Sequence, residues 1–393
     1  MLFSPYDYDV HEDPYPIYRR LRDEFPLYRN HEVGFWALSR YADVLDAFKR
    51  PDVFSNAKGV SLERSSQADA SAVCSFLALD PPRHDQIRAI VSKAFTPRRV
   101  AELEPSIRAL ARGYIENVRA AGRCDFIADF AAKLPMDVIS EMLGVPAADR
   151  DTLRLLADTV VHREEGVSEI PAAGIEASGK LLVYFSELVK ERSLRRGEDL
   201  PSALLDAEIE GERLGPREVM AFLFLMIIAG NETTTKLLGN AVYWRWRNPA
   251  EAAKVEADPA MIPAWIEETL RYDNSTQMLA RTVLSNTDYL GERLHEGDKV
   301  LLLIGSANRD ESVFARADEY DISRDTAQHI SFGKGTHFCL GASLARLEAR
   351  VALEEVEALL GPLDLDESGF VRVHSPNVRG FSAMPVRFPS SPR

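Results

Sequence analysis

At 393 residues with a net charge of −14, the chain is long enough to bury a large core and too acidic to favour nucleic acid or an anionic membrane surface as a partner. Its three cysteines, Cys74, Cys124 and Cys339, lie far apart, are odd in number and show no CxxC spacing, which excludes a disulfide framework and a cysteine-held cluster. The longest apolar run, Phe222 to Gly230, spans half a bilayer at most, and Met1–Asp7 leads into charged sequence with no basic, apolar leader; a cytoplasmic protein with no membrane association is expected.

In chain order, Asp13-Pro14-Tyr15-Pro16 opens an amphipathic helix over Ile17–Phe25, and Phe35–Ser39 reads as a short strand before a helix over Tyr41–Lys49. Leu62–Asp80 is irregular and rich in small residues, the pattern of a loop. Helical patterning then dominates over Arg83–Phe95, Val100–Ala120, Asp125–Leu143, Asp149–His162 and Ala173–Arg196. The longest helix is expected over Pro216–Arg247, interrupted at Gly230, followed by another over Pro263–Tyr272. Strands are few: Lys299–Ile304, and a hairpin-like end formed by Gly369–Val373 and Ser382–Phe388. No linker, repeat or low-complexity tract divides the chain. The fold class is mainly α with a small β part, in one domain over 1–393.

The stretch Phe332-Gly333-Lys334-Gly335-Thr336-His337-Phe338-Cys339-Leu340-Gly341 carries the most information. It sets one thiol at the end of a glycine-punctuated loop, at the start of a helical run, where unpaired N–H groups and the macrodipole favour a thiolate. The glycines allow the backbone to approach a flat partner. A lone cysteine cannot hold zinc, but it can be the single axial ligand of a haem iron. This stretch resembles the haem-binding signature of the cytochrome P450 family, F-G-x-G-x-H-x-C-x-G, at every fixed position. The resemblance extends over nearly the whole chain and implies the cytochrome P450 fold, a helical domain enclosing haem b.

Other segments then take their place in the resemblance. Ala229-Gly230-Asn231-Glu232-Thr233-Thr234 matches the A-G-x-[DE]-T element of the family, which crosses the oxygen-binding face of the haem; it implies Glu232 and Thr233 as the acid and alcohol that supply protons there, with Ala229 against the haem. Glu268 and Arg271 match the family's buried structural E-x-x-R, with Arg324 as a candidate third member. Two haem propionates require charge-assisted hydrogen bonds. His84 and Arg88, in the family's D-P-P-x-H-x-x-x-R element, with Arg281 and His337 supply them. Cys339 is implied as the iron ligand, with Phe332, Gly333 and Gly341 around it. Substrate contacts are expected from 62–79, 162–173, 222–229, 275–279 and the turn at Asn377–Val378, with Phe222, Met226, Met278 and Val378 singled out. Arg163, Glu164 and Glu165 read as solvated loop charges.

The activity implied is insertion of one oxygen atom of O2 into a hydrophobic small molecule, in a soluble enzyme of the bacterial type. The chain lacks a flavin or nicotinamide fingerprint, so electrons are expected from a separate ferredoxin and ferredoxin reductase. Arg98, Arg99, Lys334, Arg346 and Arg350 form a candidate basic patch for an acidic ferredoxin. Two alternatives remain: a peroxide-driven peroxygenase, and a non-catalytic haem-binding sensor.

Overall fold

A buried ion pair organises the part of the chain that carries the cysteine loop. In the computed structural model, which describes residues 3–63, 70–165, 167, 169–209 and 211–389, the principal helices are α1 (Tyr41–Lys49), α2 (Arg83–Ser92), α3 (Glu104–Arg119), α4 (Lys133–Leu143), α5 (Ala147–Val161), α6 (Ala172–Leu194), α7 (Pro216–Arg247), α8 (Ile262–Tyr272) and α9 (Ala342–Leu359). A five-stranded sheet is built from β1 (Leu27–Asn30), β2 (Phe35–Leu38), β3 (Phe54–Ser55), β4 (Met278–Val283) and β5 (Lys299–Leu303), in the order β1-β2-β5-β4-β3. Only β2 and β5 pair in parallel. The central strands β2 and β5 are buried at every residue, which is why β5 reads as a continuous apolar run. Helix α7 threads the largest apolar cluster, which includes Leu134, Phe185, Phe222, Ile227, Leu238 and Val351. It is long and apolar enough to cross a membrane, but 72% of its most apolar window is buried inside the protein.

Several expected boundaries move. Ala70–Cys74 is helical and Ser75–Ala78 forms a 3₁₀ turn inside the segment read as a loop, of which residues 64–69 lie outside the described residues. The helix expected over 100–120 is split into Pro97–Ala101 and α3; Pro105 lacks an N–H and restricts Glu104 before it. The helix expected over 125–143 begins later. Asp125 ends a short strand, and its Oδ1 accepts from the N–H groups of Ile127 and Ala128, after which a π-helical turn over Ile127–Ala131 leads to α4. At the C-terminal end, Val371–Arg372 pairs with Phe381–Ala383, while Pro385–Arg387 leaves that hairpin to pair with Asp364–Leu365 and Arg123–Asp125.

Helix α7 is not interrupted at Gly230. A Cβ there would sit 3.1 Å from Ile139 Cδ1, so the glycine serves close packing against α4. Hydroxyls after it bond within the helix: Thr233 Oγ1 donates to Ala229 O at 2.7 Å and Thr235 Oγ1 to Asn231 O at 2.9 Å.

On α8, Glu268 and Arg271 are fully buried and form a two-point pair, Nε to Oε2 at 2.8 Å and Nη2 to Oε1 at 2.7 Å. The remaining guanidinium hydrogens go to the carbonyls of Asn308, Ala317 and Glu319, and Glu268 Oε1 accepts from Asp321 N. Arg324 stands 3.5 Å from Glu268 Oε1 and donates to the carbonyls of Ala315, Arg316 and Glu319. Removing one member of a buried pair leaves an uncompensated charge. Arg271→Ala is therefore expected to cost about 3–5 kcal/mol, and Arg271→Lys, which keeps the charge but not the fork, to recover only part of it. Chemical denaturation of the two variants checks this; a loss below about 1 kcal/mol for Arg271→Ala would contradict it.

Candidate cofactor site and the helix above it

Asn308, held through its carbonyl by Arg271, carries the support onward. Its Oδ1 accepts from Ile330 N at 2.9 Å and its Nδ2 donates to Ser331 Oγ at 2.8 Å, while Ser331 Oγ donates to Leu270 O. The cysteine loop starts there and closes where Cys339 N donates to Phe332 O at 2.9 Å, just before α9. Gly333 and Gly335 take φ of +68° and +70°, and a Cβ on Gly335 would lie 2.6 Å from the carbonyl oxygen of Phe48 on α1. Only glycine lets the loop lie so close to backbone. At Gly341 φ is ordinary and a Cβ would meet nothing within 4 Å, so its need for glycine does not come from the protein's own atoms.

Cys339 is half-buried. Burial pushes its thiol up, against the N–H groups of Gly341 and Ala342 and the charges of Arg88 and Arg346, which pull it down. The net direction is upward, so the helix terminus alone does not make a thiolate; a bound metal cation does so outright. Cys74 is pushed up to about 11 by burial, and Cys124 to about 12 by burial and then Asp129, with no such donors among the described residues.

Around the loop the structure gathers the expected cations. His84 and His337 sit with ring centroids 4.2 Å apart. Arg88 Nη2 donates to Phe338 O at 2.6 Å, and Arg281, on β4, is buried with its guanidinium over Phe48. His84 Nδ1 is bonded to Asp85 at 2.8 Å, but His84 Nε2 and both ring nitrogens of His337 are buried with no partner among the described residues. Burial, then His84, Arg281 and Arg88, drives His337 down to about 2, and burial takes Arg281 down to about 10. Such a set is costly unless an anion joins it. The two carboxylates of a haem supply that anion, with Cys339 on the same loop available for the iron, so the residues present fit haem b.

Midway along its length, α7 leaves a strip open. Ala229 is exposed and Leu225, Ile228, Gly230 and Thr233 are half-buried, while Phe224, Met226, Ile227, Asn231 and Glu232 between them are sealed. This strip at 225, 229 and 233 follows the helical period from Thr233, the signal by which Leu225 and Ile228 were findable. Of the expected substrate contacts, Phe222 is sealed, its ring near that of Phe76, and Met226 and Met278 are nearly so, at 8% and 2% exposure. All three belong to the buried apolar clusters of the helices and the sheet. Val378 is half-buried and bridges to Thr276. Glu232 turns away from the strip and pairs with Lys236 at 3.2 Å, both buried. Thr234 meets the buried carboxyl of Glu348 on α9, which burial raises to about 8, so the two threonines serve different sides of the helix.

Two other readings change. Arg163 is buried, its Nε donating to Glu63 Oε1 at 2.9 Å and its Nη1 to the carbonyls of Val160 and His162, so it is not a solvated charge. The expected contact segment 162–173 includes Gly166 and Ser168, which lie outside the described residues. Of the basic patch, Arg346 is paired with Glu267, Arg350 with Glu104 and Glu354, and Arg98 with Glu102, so these three charges are already neutralised by neighbours.

A cysteine loop braced by a buried E-x-x-R, with buried cations gathered against it, defines the haem-thiolate class. The Cytochrome P450 family model matches residues 176–356. A putative cytochrome P450 123 of Mycobacterium tuberculosis is 53% identical over 388 residues, covering 98% of this chain and 96% of the relative. Cytochrome P450 CYP109Q5 from Chondromyces apiculatus superposes with a TM-score of 0.89 at 36% identity over the full length of both chains. CYP109E1 from Bacillus megaterium, in complex with testosterone, gives 0.90 at 30% identity, covering 96% of this chain and 98% of the other. The chain belongs to the cytochrome P450 family, whose members bind haem b and act as monooxygenases.

One consequence is measurable. In the haem-free protein both imidazoles are held neutral, since burial lowers them; propionates beside them stabilise the protonated forms. Haem binding near neutral pH is therefore expected to take up protons, seen by calorimetry in two buffers of different ionisation enthalpy. His337→Ala should reduce the uptake and weaken binding by about 1.5–3 kcal/mol. Cys339 gives up one proton as the metal makes its thiolate, so the difference between wild type and His337→Ala carries the test, and a net uptake unchanged by that substitution would contradict the assignment.

Proposed function

We propose that this chain is a single haem domain that inserts one oxygen atom of O2 into a hydrophobic small molecule, with electrons from a separate ferredoxin and its reductase. The observation that supports it is the open strip of α7 with Thr233 on it, beside an acid whose charge is held by a buried lysine. Cys339 is assigned the iron, and His84, Arg88, Arg281 and His337 the propionates. When bound, haem b supplies the binding and cleavage of dioxygen, while the protein supplies orientation and protons.

The chain's own groups divide that work. Leu225, Ile228 and Ala229 bring an apolar surface to the space above the loop, which suits an apolar ligand and keeps water few. The testosterone complex of the B. megaterium neighbour supports an apolar organic ligand here too. In such a site protons must come through placed groups. Thr233 Oγ1, resting on Ala229 O, is the hydroxyl on the strip, and Glu232 is the adjacent acid. Glu232 is lowered despite burial, which opposes, because Lys236 holds its charge. It therefore rests as a carboxylate able to accept a proton from outside and pass it on. Ser275 Oγ donates to Thr233 O at 2.7 Å and pins that turn.

The test is the ratio of product formed to NADPH consumed, with a surrogate ferredoxin and reductase and a ligand that shifts the Soret band. Thr233→Ala is expected to keep haem content and ligand binding and to divert reducing equivalents to hydrogen peroxide. Thr234→Ala should leave the ratio unchanged and cost about 1–3 kcal/mol of stability by stripping the donor from buried Glu348. The reverse pattern would contradict the assignment.

A further inference from the structure

Glu232 has a second partner that nothing in its own segment announces. On α5, Asp158 hydrogen-bonds the Glu232 carboxylate, and Lys236 Nζ stands 3.2 Å from Glu232 Oε2. Two carboxyl groups in hydrogen-bond contact cannot both be ionised, because a carboxylate only accepts; one of them must carry a proton. Lys236 decides which. It lies on α7 one turn beyond Glu232, buried with its stem against Gly380, where a Cβ would come within 2.6 Å of Lys236 Cβ. The ammonium stands 3.2 Å from Glu232 Oε2 and stabilises the charge there, so the proton belongs to Asp158.

We infer that Asp158 is a protonated carboxylic acid in the resting enzyme and the outer member of the proton path through Glu232, a positioning residue rather than one that touches the reacting atoms. This rests on the reading of Glu232 and Thr233 above. In the step, the O–H bond of Asp158 breaks as one forms on Glu232; the electron pair stays on Asp158, which is left as a carboxylate. Asp158 then takes a new proton from solvent, since it is only partly buried, whereas Glu232 is 2% exposed.

The surroundings agree. Burial first, then Glu232, raises Asp158 well above the carboxylate range, opposed by Lys236 and by Arg154, one turn back on α5. Arg154 is itself engaged with Asp151 at 3.2 Å. Asp158 also stands in the last turn of α5, where the carbonyl end of the helix disfavours negative charge. The ionisable groups that α4 and α6 turn toward α5 lie at its other end: Asp137 and Glu141 with Arg150, and Tyr184 with Asp149. On α6 near Asp158, Glu176 is paired with Lys180 in solvent.

The experiment uses the haem-loaded enzyme. Infrared difference spectroscopy near neutral pH should show a protonated-carboxyl band that shifts in D2O, is lost in Asp158→Asn and persists in a Glu348→Gln control, since Glu348 also holds a proton. With NADPH and a surrogate ferredoxin and reductase, Asp158→Asn should keep the haem spectrum, slow NADPH consumption on the order of tenfold, enlarge the solvent isotope effect and flatten the fall in rate as pH rises through the Asp158 titration. Asp158→Glu should restore the isotope effect. If Asp158→Asn changes neither isotope effect nor pH profile while Glu232→Gln changes both, Asp158 is no part of the path and the Glu232 reading survives. If both variants behave as wild type, the reading of Glu232 fails as well. If Asp158→Asn does not fold, a spectrum in which Glu348→Gln removes every protonated-carboxyl band overturns the inference.

Discussion

Everything on the cysteine side of the protein hangs from the buried pair of Glu268 and Arg271. Taking two charges out of water costs several kcal/mol per ion, and their attraction offsets this only if the remaining donors and acceptors are filled. Here they are filled by the backbone of a segment with almost no regular structure: the carbonyls of Asn308, Ala317 and Glu319 and the N–H of Asp321. The pair cannot be satisfied without that segment, and the segment has no ladder of its own to replace it. An electrostatic demand on one helix thus becomes a geometric constraint on irregular chain, and Asn308 transmits it to Ile330 and Ser331 at the root of the loop.

A second demand is left for the cofactor to meet. The protein's own atoms do not complete the set of His84, Arg88, Arg281 and His337, and burial works against each of the four charges. The same holds for Cys339, where burial outweighs the helix terminus. Haem carries the complementary charges at once, anionic carboxylates at the rim and a cation at the centre, so binding relieves both penalties together. Folding and cofactor loading are coupled here through electrostatics as much as through apolar burial.

What could be read from the sequence follows the range of the interactions. The cysteine loop was legible because its chemistry is local: glycines with left-handed φ, one thiol and a helix start within ten residues. The E-x-x-R pair was legible on one helix, and the structure adds the carbonyls from a segment with no pattern to show them. Gly230 misled as a helix breaker because its reason lies on another helix, at Ile139. Phe222 and Met226 shared a period with the open strip, and only packing separates them from Leu225 and Ile228. Arg163 looked solvated because its partner, Glu63, is a hundred residues away. Asp158 was not legible at all, since nothing in α5 shows that its last turn meets α7. Helix content and order followed the apolar period, while ends set by Pro105 and Asp125 did not.

The account stands on thiolate ligation by Cys339, and the reduced carbon monoxide adduct of the purified protein tests that most directly. The account predicts the red-shifted Soret band of a thiolate-ligated haem, lost in Cys339→His and retained in both Cys74→Ser and Cys124→Ser. An unshifted band in the native protein, or its disappearance on changing Cys74 or Cys124, would contradict it.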